Sequence, residues 1–80
     1  MTEKDLADLA PGEEGEIVSL GGGHGFQARL RAMGLVEGQR VRKLSRIRWG
    51  GPIILIVNRA QVAVGRGMAR KILVRIDDDD

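Results

Sequence analysis

The strongest constraint on this chain is how soon every apolar run ends. The longest, Ile53 to Val57 (IILIV), has five residues, and twelve glycines and two prolines divide the rest of the 80-residue sequence. A helix that buries a face needs about ten to twelve periodic residues, and a helical membrane span needs about 20 apolar ones. The sequence is therefore limited to short strands, tight corners and helices of one or two turns.

The pieces can be placed. Leu6 and Leu9 stand three apart before Pro11, which predicts a single helical turn near 4–9 with both leucines facing inward. Glu16 to Leu20 reads as a strand bounded by Gly15 and Gly21. Phe26, Leu30 and Met33 fall at i, i+4 and i+7, one helical face over 26–33, and Gly34 sits where a C-terminal capping glycine belongs. Val41 to Arg48 is rich in branched residues, but Leu44 is out of phase with Val41 and Ile47, which a bulge or a sharply coiled strand would reconcile. Trp49-Gly50-Gly51-Pro52 is a turn, Ile53 to Val57 a buried strand, Asn58-Arg59-Ala60 a corner and Gln61 to Val64 another strand. One helical turn is expected near 66–69. Ile72, Val74 and Ile76 then alternate with Lys71 and Arg75 in a last strand.

About five strands with a short inserted helix predict a mainly β domain over 1–76. A small sheet curled into an SH3-like barrel fits best and an OB-type barrel second, because curling lets so short a chain enclose one core. The four aspartates at 77–80 are expected to form an acidic disordered tail.

Charge is sorted along the sequence. Residues 1–16 hold six carboxylates against Lys4, whereas residues 29–48 hold seven basic residues against Glu37 alone, a balance of +6. Such a middle invites either an anionic partner or a reading as solvated strand faces. Nucleic-acid binding by a small basic barrel is the alternative function; against it stand one Trp, one Phe and no Tyr, too few groups for base stacking.

Chemistry is harder to find. The sequence has no cysteine, hence no disulfide, thiol nucleophile or Cys-based metal site. Gly23-x-Gly25-x-x-Ala28 formally matches a dinucleotide fingerprint. That fingerprint needs a full helix aimed at the pyrophosphate and an acidic residue ending the next strand. Here the helix stops at Gly34, the next strand ends in Arg46 and Arg48, and 80 residues leave no room for a doubly wound sheet. No phosphate-loop lysine with its neighbouring hydroxyl occurs. His24 is the sole histidine, so a metal there would lack the second nitrogen that zinc or ferrous iron usually takes; it reads as a turn or surface residue. The serines and threonine have no general base beside them in sequence, and no catalytic constellation or cofactor is expected. The acidic N-terminal segment lacks the basic and apolar regions of a signal peptide, so a cytoplasmic product is expected.

The order of motifs is informative as a whole. Leu6-x-x-Leu9-x-x-Gly12-x-x-Gly15, Gly21-Gly22-Gly23, Arg29-Leu30-x-x-Met33-Gly34-Leu35-x-x-Gly38, Gly50-Gly51-Pro52, Val62-Ala63-Val64 and Gly65-Arg66-x-x-Ala69-x-x-Ile72 follow one another from Leu6 to Ile76. In this order they resemble the FeoA family, small cytoplasmic companions of the bacterial ferrous-iron transporter FeoB. The resemblance implies an SH3-like barrel and a non-enzymatic adaptor that supports ferrous-iron uptake by docking on FeoB. The same domain occurs in iron-dependent repressors, which leaves a metal-sensing module as a further alternative. The expected partner contacts are Arg29 and Arg31 on the helix, Leu35 at its exit as the apolar neighbour, and Trp49 at the strand-turn tip, where a partly buried barrel plug is the competing reading.

Overall fold

The computed structural model describes residues 2–44 and 51–76. Its elements, in chain order, are β1 (Thr2–Asp5), a 3-10 turn (Leu6–Asp8), β2 (Glu14–Leu20), α1 (His24–Ala32), β3 (Arg40–Lys43), β4 (Ile53–Val57), β5 (Ala60–Val64), α2 (Arg66–Ala69) and β6 (Ile72–Ile76). The strands form one antiparallel sheet in the order β1-β6-β2-β3-β4-β5. Inward side chains from β2 through β6 meet Leu6, Leu9, Leu30, Leu35 and Ala69 in a single cluster. A sheet whose strands share one core in this way must curl around it. Burying each large aliphatic side chain there contributes about 1.5–3 kcal/mol.

Strands β4 and β6 are the simplest consequence of their sequences. Ile53, Leu55 and Val57 are buried in alternation with half-buried Ile54 and Ile56, and Ile72, Val74 and Ile76 are buried in alternation with Leu73 and Arg75. Strand β2 breaks this period, since both Ile17 and Leu20 are buried. The pairing with β6 explains how: Ile17 faces Val74 and Ser19 faces Leu73, so Val18 is an extra residue. This bulge shifts the phase by one and brings Leu20 back to the core.

Two expectations change. The bulge or sharp coil expected within 41–48 falls partly on residues 45–48, which lie outside the described residues, as do Trp49 and Gly50 of the turn that follows; among the described residues a bulge is found in β2. The helical turn expected near 4–9 is a 3-10 turn at Leu6–Asp8 preceded by a sixth strand, β1. Nothing in the residues Thr2-Glu3-Lys4-Asp5 favours a strand; they become one because β6 offers them a ladder, with Thr2 opposite Ile76 and Asp5 opposite Leu73. Finally, α1 begins at His24 and ends at Ala32, two residues ahead of the expected start. The turn at 66–69 is found as α2. Residues 77–80 lie outside the described residues.

Candidate functional site

The corner before α1 is built from its own side chains. Gly22 has φ +82°, which suits glycine, and a Cβ there would lie 2.6 Å from the Phe26 ring. Gln27 reaches back from the helix, its Nε2 donating to the Leu20 carbonyl at 3.1 Å and to the Gly22 carbonyl at 3.2 Å. The Gly21 N–H donates to the Lys71 carbonyl at 2.6 Å, fastening the corner to the start of β6. Lys71 Nζ stands 5.1 Å from the Phe26 ring centre, a cation–π contact. The glycines thus accommodate an aromatic ring and a reversal of the backbone. His24 is exposed at the first position of the helix, and no group of three or more potential metal ligands occurs among the described residues.

The other end of α1 closes as a Schellman motif. Gly34, at φ +86°, donates its N–H to the Arg31 carbonyl at 3.0 Å, and the Leu35 N–H donates to the Leu30 carbonyl at 2.9 Å. This reversal carries Leu35 beneath the helix beside Leu30, and both are 0% exposed. Leu35 therefore cannot be the exposed apolar contact expected of it. It is a core residue, and the half-buried Val36 is the apolar side chain at the helix exit. A glycine just past a helix followed at once by leucine was the signal for this, because that motif commonly packs the residue after the glycine against the last turn.

The same reversal creates a charge pair. Arg31 Nη1 lies 3.1 Å from Glu37 Oε1, both side chains about half exposed. The Glu37 carboxyl is held below its ordinary value of 4.5, first by its own backbone N–H, which burial opposes, and then by the charge and hydrogen bond of Arg31. Arg29, also exposed, has no carboxylate partner among the described residues. The face that α1 turns to solvent thus carries one unpaired guanidinium, one paired guanidinium and a carboxylate. Trp49 lies outside the described residues.

The rest of the basic segment is largely answered from within. Arg40 Nε lies 3.5 Å from Glu14 Oε2, Arg40 sits opposite Glu16 in the ladder, and Arg42 sits opposite Glu14. Lys43 donates from Nζ to the Leu9 carbonyl at 2.8 Å. Its pKa is lowered chiefly by burial and then by the charge of Arg66, with Asp8 and Glu13 opposing. On β6, Arg75 Nη2 lies 3.1 Å from Glu3 Oε2 and sits opposite Glu16. Acidic and basic stretches far apart in sequence are therefore cross-strand neighbours. They neutralise one another over the outer face of β1, β6, β2 and β3.

The FeoA domain profile matches residues 4–76, nearly the whole chain. The chain belongs to the FeoA domain family. A Methanocaldococcus jannaschii protein whose assigned name is Fe(2+) transport protein A is 33% identical over 69 residues, which is 86% of this chain and 82% of that one. The crystal structure of an iron uptake regulatory protein, FeoA, superposes with a TM-score of 0.85 at 33% identity, covering 94% of this chain and 97% of the other. Two further likenesses, both under 25% identity, speak to the fold alone. Stenotrophomonas maltophilia FeoA complexed with zinc, described as an SH3 domain protein, has a TM-score of 0.74 at 23% identity, with 89% and 88% coverage. A manganese-dependent transcriptional repressor has a TM-score of 0.83 at 21% identity, 92% of this FeoA domain matching 41% of that chain. The curled six-stranded sheet is accordingly an SH3-like FeoA fold.

Proposed function

We propose that this FeoA domain supports ferrous-iron uptake as a non-enzymatic adaptor that docks on the membrane transporter FeoB from the cytoplasmic side. The observation that carries the reading is family membership over residues 4–76, together with a relative at 33% identity named for Fe(2+) transport. No helix among the described residues is long and apolar enough to cross a membrane, which suits a domain that works on a transporter rather than within the bilayer.

The contact begins at the solvent face of α1. Arg29 is exposed and without a carboxylate partner among the described residues, and a long-range charge contact requires both. Arg31 and Glu37 form the rim of that contact, and Trp49 is a second candidate contact on its residue type alone, since tryptophan is frequent among binding hot spots. Leu35, being buried, has no part in it. A rigid barrel changes the behaviour of a transporter only by binding one of its conformations more tightly than another.

Two measurements test this. Tagged protein is expected to recover FeoB from gently solubilised membranes, and Arg29→Glu is expected to lower that recovery several-fold while the isolated domain stays folded. Removal of the protein is expected to reduce FeoB-dependent ferrous-iron uptake, and its return to restore it. Undiminished uptake without the protein, or no recovery of FeoB under any mild condition, defeats the adaptor reading. Normal recovery with Arg29→Glu defeats only the assignment to α1.

A further inference from the structure

The two ends of the sheet are unlike. Strand β1 is Thr2-Glu3-Lys4-Asp5, and charges on an edge strand discourage further pairing. Strand β5, at the other end, is Ala60-Gln61-Val62-Ala63-Val64, with no charge, no proline and no bulge in its pairing with β4. The residues of β5 themselves supply none of the usual protections of an edge.

The β4-β5 hairpin fixes which backbone groups point outward. Asn58 and Arg59, at φ +51° and +69°, form a two-residue type I′ turn, which makes Val57 and Ala60 a hydrogen-bonded pair. Pairs alternate along an antiparallel ladder, so Leu55 with Val62 and Ile53 with Val64 are also hydrogen-bonded. Gln61 and Ala63 then direct their N–H and C=O groups away from β4, and no backbone partner beyond that strand is found for either among the described residues. The same two residues are exposed, and beside them in the ladder stand Ile56 and Ile54, half-buried. The short side chain of Ala63, on the same face as Ile54 and Ile56, leaves this shelf open.

Charge selects what can lie there. Arg59 precedes the strand and Arg66 follows it, both exposed and neither with a carboxylate partner among the described residues. A second copy of β5 is disfavoured. In antiparallel pairing about Val62 it would set Arg59 of one copy beside Gly65 and Arg66 of the other, and in parallel pairing it would set like beside like.

We infer that the open edge of β5 is a docking site for an extended segment of a protein partner, apolar in alternation over about five residues and carrying carboxylates at both ends. The segment adds a seventh strand through Gln61 and Ala63, lays apolar side chains toward Ile54 and Ile56, and places its acidic ends by Arg59 and Arg66. This deepens the adaptor reading and rests on it, supplying a second contact besides α1.

The test uses the isotopically labelled full chain and a synthetic peptide, Glu-Glu-Val-Thr-Val-Thr-Val-Glu-Glu, with a control in which lysines replace the glutamates. The acidic-flanked peptide is expected to shift the amide resonances of Gln61 and Ala63 and slow their hydrogen exchange, and the lysine-flanked one to do neither. Ala63→Pro removes an N–H that β4 does not use, and is expected to weaken the acidic peptide about tenfold, the scale of one lost backbone hydrogen bond and a displaced strand. Should that variant not fold, Arg59→Glu with Arg66→Glu at exposed positions is expected to reverse the preference toward the lysine-flanked peptide. Absence of shifts at Gln61 and Ala63, equal binding of both peptides, or concentration-dependent shifts there without peptide overturns the inference. FeoB recovery separates the two readings: equal recovery by wild type and by Ala63→Pro sinks the edge and spares the adaptor. Peptide binding at Gln61 and Ala63 with no recovery of FeoB by either protein sinks the adaptor reading and spares the edge.

Discussion

At the scale of single residues, Gly15 limits how closely the sheet can curl. It lies in β2 opposite both Val41 and Ile76, is buried, and has no room for a side chain. A Cβ would stand 2.6 Å from the Arg75 carbonyl oxygen and from Val74 Cγ1, and 2.9 Å from Ile76 Cδ1. The nearest atom is backbone and cannot rotate aside. Gly15→Ala is therefore expected to cost about 1–3 kcal/mol, read as a lower urea midpoint with an unchanged slope; a loss within error would mean the strands separate freely. Gly22 is a weaker constraint on space, because what it would strike is a phenyl ring that can move. These residue-level facts were only partly legible in the sequence. Gly15 was recognisable as the boundary of a strand, but its crowding depends on β6, which arrives 57 residues later with Ile72. Arg31 was expected to be a partner contact; Glu37, six residues on, reaches it because the Schellman turn folds the chain back. Leu35 was misread for the same reason.

At the scale of elements, a row of alternating charge runs across the outer face of the sheet. Across four neighbouring strands, Glu3 faces Arg75, Arg75 faces Glu16 and Glu16 faces Arg40. Each exposed pair contributes little alone, but Glu16 has a cation on either side. Glu16→Lys replaces two attractions by two repulsions and is expected to destabilise by about 1 kcal/mol, with most of the loss disappearing in ~1 M salt as the charges are screened. A loss that salt leaves unchanged would show that packing of the Glu16 stem, and not charge, is responsible. The row also shows why the elements differed in legibility. Strand β4 announces itself as a short continuous branched run and β6 by inward alternation, both of them properties of their own residues. Strand β1 is polar on both faces and is a strand only because the edge of β6 would otherwise be bare. The segregation of charge along the chain was visible, but its meaning was not: sequence order separates partners that antiparallel pairing brings together.

At the scale of the whole molecule, stability is graded from the middle of the sheet to its ends. Strand β6 pairs on both sides, with β1 and β2, and places Ile72, Val74 and Ile76 in the core. Strands β1 and β5 pair on one side only. Amide hydrogen exchange is expected to be slowest in β6 and β2, approaching the rate set by global unfolding, and faster by orders of magnitude at the outward amides of Gln61 and Ala63. Protection at Gln61 and Ala63 equal to that of β6 would mean that something already covers the β5 edge.

The position of β6 also bears on how the protein is made. A ribosome releases β1 and β2 before the other strands, yet these two are not hydrogen-bonded neighbours; each meets the other through β6, the last of the six strands to be translated. Until residues 72–76 clear the exit tunnel, the first strand has no ladder and Gly15 has no neighbour to crowd it. The sheet therefore closes only once β6 has been made, through contacts that are among the longest in sequence separation within this domain and so the slowest to form. A nascent chain stalled before Ile72 carries a hydrophobic interior without the strand that joins β1 to β2, which makes it a substrate for chaperones rather than a shorter version of the same domain.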